Sequence, residues 1–104
     1  MMREKAKPDT NQGEIVSQLR DIPGCTVQLL TQVGKGCPDI LVGHNGKTFG
    51  PYEIKHGKNK LNAREEVWWQ TWTGAGCTVW CVDDILRDMG ILPPPVRIWK
   101  REIK

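Results

Sequence analysis

The sequence predicts an α/β domain built on one mixed β-sheet, with the element order αβββαβα. Three observations predict it. Apolar residues recur at helical spacing over residues 11–22 and again over 61–73. Short β-rich runs stand between and after them, at 25–30, 39–42, 52–56 and 77–82. Glycine and proline then separate each run from the next. A chain of 104 residues has room for one hydrophobic core. Its 26% charged and 38% hydrophobic residues are ordinary for a globular protein, which excludes a disordered class.

The elements follow in order. Asn11 is placed to cap the first helix, with Glu14 three residues on, and Ile15, Leu19 and Ile22 form its apolar stripe. Pro23 and Gly24 end it. Residues 25–30 make the first strand, and a glycine loop with Gly34, Lys35 and Gly36 follows. Pro38 leads into a second short strand, Asp39 to Val42. His44, Asn45, Gly46 and Lys47 read as a hairpin turn, with a third strand from about Tyr52 to His56. The second helix spans 61–73, with Asn62 as its cap and Glu65 three residues later. A buried strand over 77–82 and a short helix from a cap at Asp83 through Met89 complete the domain. The run Pro93-Pro94-Pro95 cannot lie inside a helix, and leads an extended tail that packs through Ile98 and Trp99. The expected division is a basic N-terminal tail at 1–10, a folded domain at 11–92, and a proline-led basic tail at 93–104.

The net charge of +3 is unevenly spread. Arg3, Lys5 and Lys7 against Glu4, and Arg97, Lys100, Arg101 and Lys104 against Glu102, put +5 on the two ends and leave −2 for the body. A basic fringe around an acidic centre suits a protein that attracts a polyanion and holds a cation inside, but on charge alone lysine-rich termini on a solvated surface are the preferred reading. No apolar run approaches the ~20 residues that span a bilayer, and the charged start has no apolar signal core behind it. A cytoplasmic, non-membrane location is therefore expected. Cys25, Cys37, Cys77 and Cys81 are then expected to be free, small, buried thiols. On a strand, Cys77 and Cys81 would share a face. A zinc site would need two distant partners for them, at a spacing unlike that of a zinc ribbon.

The chemistry concentrates in Pro38-Asp39 and, with thirteen residues between Asp39 and Glu53, in Glu53-Ile54-Lys55. Glu53 and Lys55 are two apart on a predicted strand and so share a face, while Ile54 points into the core. Asp39 opens the neighbouring strand and brings a second carboxylate beside Glu53. Two such carboxylates repel unless a cation lies between them. Mg²⁺ takes oxygen ligands and keeps several waters, the chemistry of phosphodiester hydrolysis. Lys55 would orient the attacking water, help deprotonate it, or stabilise the developing charge. Taken alone, the three residues also fit a salt-bridged pair on an exposed strand and a turn aspartate.

The surroundings go further. The run Gly34 to Gly43 (Gly-Lys-Gly-Cys-Pro-Asp-Ile-Leu-Val-Gly), then Tyr52-Glu53-Ile54-Lys55, then Leu61 and Ala75-Gly76, resembles the VRR-NUC branch of the PD-(D/E)XK nucleases. These virus-type replication-repair nuclease domains are often short standalone proteins of bacteriophages. The resemblance runs from about Glu14 to Met89. It implies a restriction-endonuclease-like core, a central mixed sheet flanked by helices. It implies Mg²⁺ or Mn²⁺ as cofactor, with Asp39, Glu53 and the Ile54 carbonyl as ligands. Lys55 matches the catalytic lysine, and Glu14 an acidic residue of the first helix near the metal. The family usually has a glutamine where this chain has Glu65, which can bind a cation but cannot donate amide hydrogen bonds. The resemblance further implies DNA as substrate, branched forms such as four-way (Holliday) junctions, and a homodimer whose two sites cut both strands.

Glu65 also fits a capping box, and it lies in an apolar stripe with Leu61, Trp68 and Trp72, where a carboxylate is costly without a partner. A site beneath that helix would supply Lys55 or a metal. Lys35, Lys58, Lys60 and Arg64 are candidate DNA contacts, or else a solvated loop. Of the five tryptophans, Trp68, Trp72 and Trp80 are expected in the core, and Trp69 and Trp99 at the surface, in a dimer contact. His44 reads as a turn residue. Two other functions remain open: a DNA-binding module of the same fold that has lost cleavage, and a zinc-stabilised interaction protein.

Overall fold

In the computed structural model, residues 7–92 are described, with side chains from residue 11 onward. The elements are α1 (Lys7–Arg20), β1 (Cys25–Leu29), β2 (Ile40–His44), β3 (Lys47–Ile54), α2 (Ala63–Thr71), β4 (Cys77–Val79) and α3 (Val82–Asp88). The predicted order is the observed one. The sheet runs β1-β2-β3-β4. Its first two pairings are antiparallel and β3–β4 is parallel, so α2 lies in the crossover between parallel neighbours. The fold is thus a small α/β domain with a four-stranded mixed sheet and three helices.

Packing follows the alternation of the strands. Cys25, Ile40, Val42, Tyr52 and Val79 form one apolar cluster with Ile15, Val16 and Leu19 of α1 and Ile85 of α3. Burying each Leu or Ile stabilises the fold by about 1.5–3 kcal/mol. The Tyr52 hydroxyl enters this core because Asp88 Oδ2 accepts its hydrogen bond at 2.6 Å. Ile54 packs against the same cluster. Glu53 therefore belongs to the other side of the strand.

Local chemistry accounts for the connections. Asn45 and Gly46 have φ of 49° and 85°, the left-handed pair that a two-residue hairpin needs, and His44 pairs with Lys47 across it. Because that turn is so short, β3 begins at Lys47 and not near Tyr52. The Gly50-Pro51 step disguises its first half in the sequence. Asn62 caps α2 in a full capping box with Glu65, as expected.

Several expectations are corrected. The first helix begins at Lys7, four residues before the expected start, so Asn11 is not its cap and Glu14 does not close a capping box. Pro8 suits that earlier start, since proline is at home in a first helical turn. Strand β4 ends at Val79, which separates Cys77 from Cys81; Cys81 is exposed, Cys37 and Cys77 are half-buried, and only Cys25 is buried. All four are free. At the start of α3 the aspartate that accepts the backbone N–H groups of Trp80 and Cys81 is Asp84, not Asp83.

Two tryptophans expected in the core are on the surface. Trp72 is 42% exposed and Trp80 46%. Helix α2 buries no residue fully. Trp72 instead stacks on the half-buried Trp68, with centroids 4.8 Å apart, and donates its indole N–H to the Ala75 carbonyl at 2.6 Å. Trp80 donates to the Gly57 carbonyl at 3.0 Å. Trp69, expected at the surface, is half-buried with its ring close to Gly76. Ile98, Trp99 and the basic termini lie outside the described residues. Among the described residues no helix is long and apolar enough to cross a membrane.

Candidate active site

The two carboxylates separated by thirteen residues in sequence converge where β2 begins and β3 ends. Asp39 stands immediately before β2, behind the buried Pro38. Its backbone N–H donates to the Tyr52 carbonyl at 2.9 Å, and its carbonyl accepts from Leu30 at 2.8 Å. Held on both sides, it turns its side chain onto β3, where Oδ2 accepts the Ile54 N–H at 2.7 Å. Glu53 is only 3% exposed, and among the described residues its buried Oε1 has no hydrogen-bond partner.

Lys55 is fixed by three other elements. Its N–H donates to the Val79 carbonyl of β4 at 2.9 Å. Its carbonyl accepts from Asn11 Nδ2 of α1 at 3.0 Å. Its ammonium lies 2.9 Å from Glu65 Oε1 of α2 and 3.8 Å from Glu53 Oε2. The same Glu65 oxygen accepts the Asn62 N–H at 2.9 Å, so one carboxylate oxygen serves both the helix cap and the lysine. The partner that a carboxylate in this stripe required is thus Lys55.

Burial pushes the Glu53 carboxyl up to about 8, with the charges of Asp39 and Glu65 adding to it and Lys55 opposing. Burial also raises Asp39, although the Ile54 N–H draws it back. Burial acts upward on Glu65 too, but its bonds from Lys55 and Asn62 prevail and its carboxyl ends below the usual range. Three neighbouring carboxyl groups with one lysine among them leave negative charge that only a proton or a cation can balance. The unpartnered Glu53 Oε1 is the atom that such a cation would satisfy.

Among the described residues no three His, Cys, Asp or Glu side chains form a complete metal-ligand group. Two carboxylates and a backbone carbonyl, with water and substrate oxygens for the rest, remain a fitting donor set for Mg²⁺. They are a poor one for structural zinc, which wants four closed ligands. The half-buried Cys37 thiol borders this site; burial raises its pKa, and the charges of Glu53 and Asp39 raise it further.

The other expected residues divide. Lys35 and Arg64 line one shallow surface hollow with Ala63 and Val67. They meet because Gly36, at φ 83°, leaves no room for a Cβ against the Arg64 carbonyl, so the glycine loop sits directly on the first turn of α2. Lys58 and Lys60 are exposed on the loop joining β3 to α2. Glu14 is exposed on α1, and among the described residues no hydrogen bond or ion pair joins it to Asp39, Glu53 or Lys55. From α1 the residue that does touch the site is Asn11, by its hydrogen bond to the Lys55 carbonyl.

No protein-family model matches the chain, no curated protein matches its sequence, and no solved structure matches its fold.

Proposed function

We propose that this protein is a Mg²⁺- or Mn²⁺-dependent DNA endonuclease of the PD-(D/E)XK type, with a restriction-endonuclease-like core and a resemblance to the VRR-NUC branch. One observation carries the reading: Asp39, Glu53 and Lys55 stand together, with a buried Glu53 oxygen that has no hydrogen-bond partner among the described residues. Asp39, Glu53 and the Ile54 carbonyl would hold the cation. When bound, such a cation polarises a phosphate and lowers the pKa of a coordinated water.

The protein's own groups supply the remainder. The Lys55 ammonium donates hydrogen bonds toward the reacting phosphate and stabilises charge as it develops. Glu65 keeps that ammonium from swinging into solvent. Lys35 and Arg64, with Lys58 and Lys60, would neutralise backbone phosphates beside the scissile one. Branched DNA, with four-way junctions among the forms cut, is the substrate class that the resemblance suggests. A C₂ homodimer would place two sites on the two strands of a symmetric junction.

The test is incubation with labelled four-way junction, flap and linear duplex DNA, with Mg²⁺, Mn²⁺ or EDTA, beside Asp39→Ala and Lys55→Ala. Metal-dependent cutting that both substitutions abolish supports the reading. Binding by folded protein without cutting of any substrate overturns it, in favour of a DNA-binding module of the same fold.

A further inference from the structure

We infer that Asn11 is a positioning residue for Lys55, and that it is the contribution of helix α1 to the site. The inference rests on the endonuclease reading above. A lysine ammonium at the end of a long side chain is placed by two things: the partner at its tip and the backbone at its root. Here Glu65 holds the tip at 2.9 Å. The root sits one residue past the last residue of β3, where the regular ladder has ended. There the Lys55 N–H still reaches the Val79 carbonyl, but its own carbonyl has left the sheet. Asn11 Nδ2 donates to that carbonyl at 3.0 Å, across 44 residues of sequence.

Asn11 occupies the interior of α1, whose backbone N–H and carbonyl groups serve the helix, so its side chain is free to act elsewhere. An amide is suited to this place because it donates without adding charge beside Glu53, Asp39 and Glu65. An aspartate of the same shape could only accept, and would face the Lys55 carbonyl oxygen with another negative group. Without the bond from Asn11, residues 55–57 are anchored on one side only, and the ammonium shifts relative to Glu53. Displacements of this order at a reacting centre are costly in rate.

The experiment compares the wild-type protein with Asn11→Asp and Asn11→Ala, the alanine variant securing the test should the aspartate variant fail to fold. Single-turnover cleavage at saturating DNA and Mg²⁺ is measured beside the DNA dissociation constant. Cleavage is expected to fall about tenfold in both variants while the dissociation constant changes less than twofold. Cleavage at the wild-type rate, or a loss matched by weaker DNA binding, overturns the assignment. A second readout needs no activity: nitrogen NMR of the Lys55 ammonium. The signal of a hydrogen-bonded ammonium, present in the wild type, is expected to broaden or disappear in the variants. If the wild type cuts no DNA, the endonuclease reading fails by itself. The NMR comparison then still decides the positioning role, and an unchanged Lys55 signal in a folded variant refutes it.

Discussion

The Lys55 ammonium lies 2.9 Å from Glu65 Oε1, with both side chains about six-sevenths buried. The pair joins the end of β3 to the first turn of α2, a helix with no fully buried residue of its own. Lys55→Met leaves Glu53 and Glu65 without their cation and is expected to destabilise the protein by about 2–3 kcal/mol. Glu65→Gln keeps an acceptor for the Asn62 N–H and is expected to cost only about 1 kcal/mol. Urea unfolding of both variants at neutral pH measures the difference; equal losses would mean that leaving Glu53 and Glu65 without a cation adds nothing to the loss of the ion pair itself.

Glu53→Gln separates the two roles of that carboxylate. With its carboxyl pushed up to about 8, Glu53 is mostly protonated at neutral pH when no cation is bound, so glutamine keeps both its neutral state and its size. Without divalent cations at neutral pH the variant is therefore expected to melt within about 1 kcal/mol of the wild type. With Mg²⁺ at roughly a hundred times its dissociation constant the wild type gains about 2.7 kcal/mol, and the variant gains little. Thermal melts with EDTA and with Mg²⁺ give all four values. An equal Mg²⁺ shift in both proteins would remove Glu53 from the ligand set.

Tyr52 offers a pH test with a built-in reporter, as it is the only tyrosine of the chain. Burial raises its phenol pKa well above the usual value of 10.0, and the hydrogen bond to Asp88 adds to the effect. A folded pKa above the unfolded one means stability that is complete below about pH 10 and lost as pH rises beyond it. Phenolate absorbance is therefore expected to appear only together with unfolding. Tyr52→Phe loses the bond to Asp88, about 1 kcal/mol, and with it the part of the alkaline slope due to this group.

Gly36→Ala tests the seat of the glycine loop. The added Cβ would fall on the Arg64 carbonyl, at a φ of 83° that alanine disfavours. A loss above about 2 kcal/mol is expected, with weaker DNA binding as Lys35 and Arg64 are pushed apart. Gly34→Ala, with a positive φ but open space around it, is expected to cost about half as much.

Lys35→Ala and Arg64→Ala address the substrate directly. If each contacts a backbone phosphate, each lowers affinity alike for duplex and branched DNA and reduces the salt slope of binding by about 1. An unchanged slope in both would turn the basic stretch back into a solvated surface.

Much of this was legible in the sequence because the interactions behind it are local. The two-residue turn at Asn45-Gly46, the Asn62 cap with Glu65, and the same-face pairing of Glu53 with Lys55 each depend on neighbours within a few positions. The element order followed from the same short-range signals. The tertiary structure alone decided what lay farther apart. It set Asp39 against the Ile54 N–H, gave Lys55 its partner in Glu65, brought Lys35 beside Arg64, and made Asn11 a clasp on β3 instead of a helix cap. It also moved Trp72 and Trp80 outward, against their hydrophobicity. The reason is physical. Periodicity and caps report how a segment folds against itself, whereas partners across 10 to 44 residues are chosen by how the sheet and helices pack.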